Sequence, residues 1–281
     1  MATFYNQATL SYGNVVRSSN ITEGEIVSAA TLTKTAVTEG YGAGDGITYV
    51  ISLANNGDVD IVGVSISDDL GAYTVGTTTV APLDYVDGSI LYYQNGVLQP
   101  TPTVTAADAL VIDGITIPAG GNAMIIYEAQ TNEFAPLAQG ATITNTAITN
   151  STCEALTASA TVTARDEVQL SIAKAISPAV VTCNGEIEYT FIVQNNGNTA
   201  AVATDNVIIR DIFAPPLTDI TVTLNGAPLT AGTDYTYDET TGEFSTLAGA
   251  ITVPAATYAT APDGTVIATP GVATLVVSGT I

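Results

Sequence analysis

The apolar residues of this chain fall in short runs of about four to eight, and Gly, Pro, Asn and Asp separate the runs. No long segment repeats its apolar residues with the 3.6-residue period of an amphipathic helix. Val, Thr, Ile and Ala fill the runs, which is typical of strands on a half-buried sheet. The pattern predicts an all-β protein, and 281 residues give room for two domains of ordinary size.

Two segments of the chain match at an offset of 140 residues, from Leu32 to Ile172. The first reads LTKTAVTEGYGAGDGITYVISLANNGDVD and the second IAKAISPAVVTCNGEIEYTFIVQNNGNTA, and further on VSISDDL matches VIIRDIF. Each copy has one lysine, one tyrosine and one aspartate at matching places: Lys34 with Lys174, Tyr49 with Tyr189, and Asp68 with Asp211. Two tandem copies of one domain explain these matches.

The two copies differ at their ends. The first continues into ATITNTAITNSTCEALTASATVTARDEV, two alternating runs around a polar turn, which predict a closing β-hairpin. The second is expected to stop at Ile281 without such a hairpin. A similar hairpin begins the chain, with four positions taking the places of four in the closing hairpin: Phe4 for Ile143, Asn6 for Asn145, Ala8 for Ala147, and Leu10 for Thr149.

These ends predict assembly by hairpin donation. A sandwich without its last two strands exposes unpaired backbone and an apolar groove, and another subunit's hairpin can fill both. If every subunit repeats this contact, a linear head-to-tail polymer results. The alternative is that residues 1–26 fold back onto the second domain of their own chain. The predicted donor residues are Phe4, Tyr5, Asn6, Ala8, Leu10, Ile21 and Ile26.

The charge and composition exclude several function classes. Five Lys and Arg against 27 Asp and Glu give a formal net charge of −22, which disfavours nucleic acid and insertion into anionic membranes. The chain has no His, so it lacks the usual general base and the commonest transition-metal ligand. We therefore predict no enzyme, no cofactor and no metal site. A glycosidase that uses only carboxylates is a third, weaker possibility and would need two close buried acids.

No targeting segment is recognisable in the chain as given. The start, MATFYNQATLSYG, has no basic region followed by an apolar stretch, and no segment is apolar for long enough to span a bilayer. We expect an extracellular protein, or one on the cell or spore surface, with no standard signal peptide in the chain as given.

The Lys strand, GDGITYVISLANNGD and the following strand ending in Asp resemble the conserved repeat domain found in tandem in bacterial and archaeal surface proteins. The copies carry it at residues 44–58 and, with GEIEY replacing GDGITY, at residues 184–198. The whole sequence also resembles short, signal-less members of that family in Clostridia-type bacteria. The resemblance implies immunoglobulin-like β-sandwiches and a cell- or spore-surface appendage.

These observations predict a donor hairpin at residues 1–26, a complete sandwich at 27–166, and an incomplete sandwich at 167–281. The predicted function is a structural filament subunit whose partner is another copy of itself. The alternative function is a surface adhesin with a self-complemented second domain that presents loops to an unknown host or matrix ligand.

Two covalent links are hypotheses at this point. Lys34, Asp68 and Asn145 resemble the arrangement in pilin and adhesin sandwiches that form Lys–Asn isopeptide bonds, and Lys174 with Asp211 would need Asn6 of the incoming subunit. A simple Lys–Asp ion pair would equally explain both lysines. The only two cysteines, Cys153 and Cys183, are expected at opposite poles of an immunoglobulin-like subunit, so they could bond only between subunits, or else be unrelated free thiols.

Overall fold

The computed structural model describes residues 2–26, 30–150 and 155–281, and these are almost entirely β-strand and turn. Their only helical element is a short 3-10 turn at Ala203–Asp205. No helix in this part of the chain is long and apolar enough to cross a membrane. The chain divides into two compact units, Met1–Ala135 with Thr142–Thr163, and Pro136–Ala141 with Ala164–Ile281. The predicted all-β class is confirmed.

The chain begins with a long two-stranded hairpin. Its strands are β1 (Ala2–Asn6), β2 (Thr9–Tyr12), β3 (Val15–Ser18) and β4 (Thr22–Ile26). β1 pairs with β4 and β2 with β3, and the turn between β2 and β3 contains Gly13, whose φ of 57° favours glycine. Within the described residues, these strands pair with no others.

The next strands form the two sheets of a sandwich, except for β9 and β10, which pair with each other as a separate hairpin. Their bounds are β5 (Ala30–Ala36), β6 (Gly40–Tyr41), β7 (Gly46–Asn55), β8 (Ile61–Asp68), β9 (Tyr73–Val75), β10 (Thr78–Val80), β11 (Leu83–Tyr85), β12 (Leu91–Gln94), β13 (Val97–Leu98), β14 (Thr103–Ala106), β15 (Leu110–Ile117), β16 (Asn122–Thr131), β17 (Thr142–Asn150) and β18 (Thr157–Ala164). One sheet has the order β13-β12-β16-β7-β5, with β11 also on β16, and the other β14-β15-β8-β17-β18-β6. Alternate residues of β7, β15, β16 and β17 are buried, as expected for strands with one face toward a core.

The second unit has fewer strands. They are β19 (Leu170–Ser177), β20 (Glu186–Asn195), β21 (Arg210–Ile212), β22 (Thr218–Leu224), β23 (Ala227–Pro228), β24 (Tyr235–Tyr237), β25 (Glu243–Thr246), β26 (Thr257–Thr260), β27 (Val266–Thr269) and β28 (Gly271–Thr280). One sheet has the order β19-β20-β28-β22-β23 and another β21-β25-β24, while β26 and β27 form a separate hairpin. Their buried apolar residues form one core that includes Phe191, Phe213, Phe244 and Leu275.

The repeat in the sequence is a repeat in strand order. β19, β20 and β28 lie side by side in the second unit as β5, β7 and β16 do in the first. β21 takes the place of β8, because Asp211 pairs with Phe244 on β25 as Asp68 pairs with Leu110 on β15. The two units differ on the other side of that strand, since β8 also pairs with β17 whereas β21 pairs only with β25 among the described strands.

The repeated Asn-Asn-Gly motif closes a loop. The Asn55 amide nitrogen donates to the carbonyl oxygens of Val59, at 2.8 Å, and Ile117, at 3.2 Å, and its side-chain oxygen accepts from Gly57 N–H at 2.9 Å. In the second unit, Asn195 Nδ2 likewise donates to the Thr199 carbonyl oxygen and Oδ1 accepts from Gly197 N–H, while its third bond differs, because Oδ1 also accepts from Gln169 N–H. Both side chains are buried, so each satisfies backbone groups that water does not reach.

We expect Asn55→Ala to destabilise the first unit by about 2–3 kcal/mol, because it leaves buried backbone groups without partners. Asn56→Ala is the matched control, since Asn56 is exposed, and should change stability by less than about 0.5 kcal/mol. Hydrogen exchange of the β7 amides measures the difference. Equal effects of the two substitutions would contradict this role of Asn55.

Candidate functional site

The first unit is closed by its own hairpin. β17 lies beside β8 with Ala147 opposite Asp68, and β18 pairs along the other side of β17. Ile143 and Val162 face each other across this hairpin and are both buried. The closing hairpin therefore completes both the backbone ladder of β8 and the core beneath it.

The corresponding positions of the second unit are uncovered. Every residue of β19 is exposed, including Ile172 at 58% and Ile176 at 46%. Their counterparts in the first unit, Leu32 and Ala36, are half-buried. Ile212 lies on β21, which pairs with β25 on one edge only among the described strands, and it is 62% exposed. Apolar side chains and an unpaired strand edge together mark a surface that favours association.

A cavity lies beside β21. Its volume is 610 Å³, and residues of β21, β24 and β25 line it, among them Asp211, Tyr237 and Phe244. Phe244 belongs to the core, so the cavity reaches from the surface to the core of the second unit.

In the first unit, the structure brings Lys34, Asp68 and Asn145 into one buried cluster. Lys34 Nζ lies 2.6 Å from Asp68 Oδ2, and the Tyr127 hydroxyl donates to the same oxygen at 2.6 Å. Asn145 Nδ2 donates to the Tyr127 hydroxyl oxygen at 2.9 Å. Tyr127 thus connects the ion pair to the amide.

Burial of the charged Lys34 and Asp68 side chains away from water is electrostatically costly. Burial lowers the pKa of Lys34, an effect that the ion pair with Asp68 opposes. Burial also raises the pKa of Tyr127 well above its usual value, and the Asp68 carboxylate adds to this. Asn145 Oδ1 and the Tyr49 hydroxyl are buried without a well-aligned hydrogen bond among the described residues, although the Asn145 side chain lies close enough to the Tyr49 hydroxyl to oppose the rise that burial causes in its pKa. An unpaired buried acceptor is costly, so the cluster is incompletely satisfied.

The second unit holds only part of this cluster. Lys174 pairs with Asp211, but their side chains are 40% and 20% exposed, against 0% for both partners in the first unit. Lys174 Nζ lies 4.4 Å from the centre of the Tyr189 ring. Val277 stands opposite Tyr189 where Tyr127 stands opposite Tyr49, so the second unit lacks the bridging hydroxyl.

The N-terminal hairpin presents the complementary features. Phe4 is 54% and Leu10 63% exposed, and both lie on the strands that match β17. Phe4 stands opposite Gly24, and its ring lies over the space that a side chain there would fill. Ile143 and Val162 hold the matching cross-strand positions in the closing hairpin. The N-terminal hairpin thus has a large side chain opposite a glycine, where the closing hairpin has two side chains of medium size opposite each other.

The remaining predicted donor residues also lie in the hairpin. Tyr5 is exposed and its hydroxyl donates to Glu23 at 3.3 Å, on the strand face opposite to Phe4. Ile21 is exposed, Asn6 pairs with Thr22, and Ile26 pairs with Ala2 across the hairpin.

The cysteine prediction stays open. Cys183 is an exposed free thiol in the second unit, whereas Cys153 lies outside the described residues. Among residues 2–26, 30–150 and 155–281, no group of three Asp, Glu, Cys or His side chains is arranged to hold a metal ion.

The sequence did not predict that the Tyr127 hydroxyl connects Asp68 to Asn145. In the sequence, Tyr127 belongs to NAMIIYE, a strand in which an aromatic residue is ordinary core. The available signal was the mismatch with VATLVVS in the second copy, where Val277 holds the equivalent position.

Comparison with known proteins finds no matching family model and no matching curated protein. Among solved structures, the chain is similar to the major pilin subunit BcpA of Bacillus cereus, with 12% identity, a TM-score of 0.39, and coverage of 94% of this chain and 70% of that one. The pilus backbone RrgB of Streptococcus pneumoniae is 10% identical with a TM-score of 0.33, and the match covers 82% of this chain and 52% of that one. The collagen-binding domain of a Staphylococcus aureus adhesin is 13% identical with a TM-score of 0.30, and the match covers 49% of this chain and 99% of that one. At these TM-scores the similarity adds no argument to the strand arrangement described above.

Proposed function

We propose that this protein is the structural subunit of a surface filament, and that the hairpin β1–β4 of one subunit completes the second unit of the next. One observation carries the proposal. The closing hairpin pairs with β8 in the first unit, whereas the same edge of β21 is open among the described strands of the second unit, and Ile172 and Ile176 are exposed where Leu32 and Ala36 are half-buried. The same chain carries an exposed N-terminal hairpin that pairs with no other described strand.

The register of the joint follows from the first unit. Ala147 lies opposite Asp68, so Ala8 of the incoming hairpin lies opposite Asp211. Phe4 and Leu10 then face the core side, where they cover Ile172 and its neighbours. Each large apolar side chain buried in this way contributes roughly 1.5–3 kcal/mol, and the new ladder pairs backbone groups of β21 that are otherwise open.

The contact is heterologous, because the hairpin is at one end of the chain and the groove at the other. Such a contact need not close on itself, and its repetition gives a linear polymer. The net charge of −22 keeps the outer surfaces of neighbouring filaments apart at low ionic strength. The function is therefore mechanical, and no step in it requires a bound cofactor or a substrate.

Electron microscopy of the full-length protein beside a chain lacking residues 2–20 tests the proposal. We expect filaments from the first and only monomers or amorphous aggregates from the second. Discrete monomers from the full-length chain, across salt and protein concentration, would contradict the filament and favour a surface binding module.

A matched pair of point variants sharpens the test. Phe4→Ser removes an apolar side chain from the face that enters the groove, and we expect it to abolish filaments. Tyr5→Ser alters the adjacent residue, which matches the exposed Thr144 of the closing hairpin, and we expect filaments to persist. Equal loss of filaments in both variants would contradict the assigned face of the hairpin.

A further inference from the structure

We infer that the first unit carries a surface through which two copies of this protein pack side by side, and that this contact gathers the filaments into bundles. The surface lies on the outer side of the sheet β13-β12-β16-β7-β5 and is called the apolar face below. Its residues are Val50, Leu91, Tyr93, Leu98, Met124 and Ile126. The pairing of two copies stands on the first unit alone, whereas the bundling rests on the proposed function.

The six residues of the apolar face are neighbours across four strands. They form two adjacent rows of paired positions, Leu98–Tyr93–Met124 and Leu91–Ile126–Val50. The residues that alternate with them, Tyr92, Ile125 and Ile51, are buried in the core, so both rows point away from it. Leu91 is 43% and Leu98 57% exposed, and the other four are half-buried. The strands therefore present one continuous apolar surface to solvent.

The internal repeat shows that the sheet itself does not need these apolar side chains. In the second copy, the same six positions are occupied in the same order by Thr190, Thr221, Thr223, Pro228, Thr274 and Val276. Four of these are threonines, which suit a strand and keep a hydroxyl toward water. The second unit thus builds the corresponding sheet, β20-β28-β22-β23, with a more polar outer side. The apolar residues of the first unit must serve something other than strand formation.

Charge favours a second copy as the partner. The chain carries 27 Asp and Glu against five Lys and Arg, so most contacts between two copies would bring like charges together. Neither row of the apolar face contains a charged residue, and across the sheet the rows continue into the uncharged Ser52, Thr33 and Thr35. Glu128, the next outward-facing residue on β16, ends the uncharged area. Two copies can therefore join these faces without burying a carboxylate between them.

The contact is isologous, because each copy presents the same residues to the other. Two such sheets pack about 10 Å apart with their side chains interdigitated. Six side chains per copy are far fewer than the roughly 20–30 residues on each side of a stable interface, so two free subunits bind weakly. In a filament the apolar face recurs once in every subunit, and the weak contacts act together. We therefore expect bundles of filaments rather than stable dimers.

Tyr93→Thr combined with Met124→Thr tests the apolar face, because each change introduces the residue that the second copy has at the same position. The matched control is Ile192→Thr combined with Val272→Thr, which removes two exposed apolar side chains from the outer side of the second unit. Electron microscopy counts single and bundled filaments. We expect the unchanged protein and the control to bundle at about 0.15 M salt, where charge is screened beyond about 8 Å, and to separate at about 0.01 M. The Tyr93/Met124 variant should give single filaments of unchanged length at both.

Three results would overturn the inference while the proposed function stands. The first is bundling of the Tyr93/Met124 variant like the control, and the second is single filaments of the unchanged protein at every salt concentration. The third is that the unchanged filaments stay single but bind phosphatidylcholine vesicles, and that the variant does not, which would assign the apolar face to a lipid surface instead.

Absence of filaments would contradict the proposed function, and sedimentation equilibrium of the full-length protein then decides the pairing. The dissociation constant of the weak dimer should be at least about tenfold higher for the Tyr93/Met124 variant than for the control, because each copy buries two fewer large apolar side chains. Equal dissociation constants, or no dimer at the highest concentration reached, would overturn the pairing of copies.

Discussion

Subunits that lack residues 2–26 should stop filament growth when they are mixed with full-length protein. Such a subunit keeps its groove and accepts a hairpin, but it offers none to the next subunit. With one truncated subunit in ten, the mean length should fall to about ten subunits, because each incorporated copy ends a chain. Electron microscopy of the length distribution as a function of the mole fraction measures the effect.

A different variant is needed to stop growth at the opposite end of the filament. Ile172→Asp places a charge in the groove, so this variant should donate its hairpin without accepting one, and it should shorten filaments in the same way. Ala173→Asp is the control, because the matching Thr33 is exposed in the closed first unit. Termination by only one of the two kinds of subunit would contradict head-to-tail growth.

The alternation of apolar residues and the internal repeat are sufficient to predict much of this architecture. Period-two alternation fixes which residues of a strand face the core, and a repeat carries the assignment from one unit to the other. Lys34, Asp68 and Asn145 lie in one cluster for this reason. Each occupies a core-facing position, Lys34 on β5 of one sheet and the other two on the neighbouring strands β8 and β17 of the other sheet. Their chemistry stays a prediction, because residue placement does not show that a bond forms.

Other features depend on pairings that the sequence does not display. VIIRDIF resembles the long strand β8, yet only residues 210–212 are in a strand. β8 has partners on both sides, whereas Val207 is held only by an isolated bridge to Ile251. An edge without its second partner lacks half of its ladder, which shortens the strand. The hairpin β26–β27 was likewise not predicted, since it interrupts the second copy where the first continues directly into β16.

The largest expected effect on stability follows from Asp68→Asn. This substitution keeps the shape of the side chain but leaves a buried ammonium without its counter-ion, which typically costs about 3–5 kcal/mol. For a unit of this size, that lowers the melting temperature of the first unit by roughly 10–20 °C. Calorimetry of the full-length protein measures it, and Asp211→Asn is the matched control. Because Lys174 and Asp211 are partly exposed, the control should change the monomer by less than about 1 kcal/mol.

The pH dependence of Asp68→Asn separates buried charge from lost packing. Burial lowers the pKa of Lys34 below its value in the unfolded chain, and removal of Asp68 takes away the main interaction that opposes this. Between the folded and unfolded pKa values, the unfolded chain binds more protons, so the stability of the variant should rise as the pH approaches 10.5. Below the folded pKa of Lys34, the full penalty remains. A loss of stability that is equal at pH 6 and pH 10 would mean that packing around Asp68, rather than the uncompensated charge, sustains the first unit.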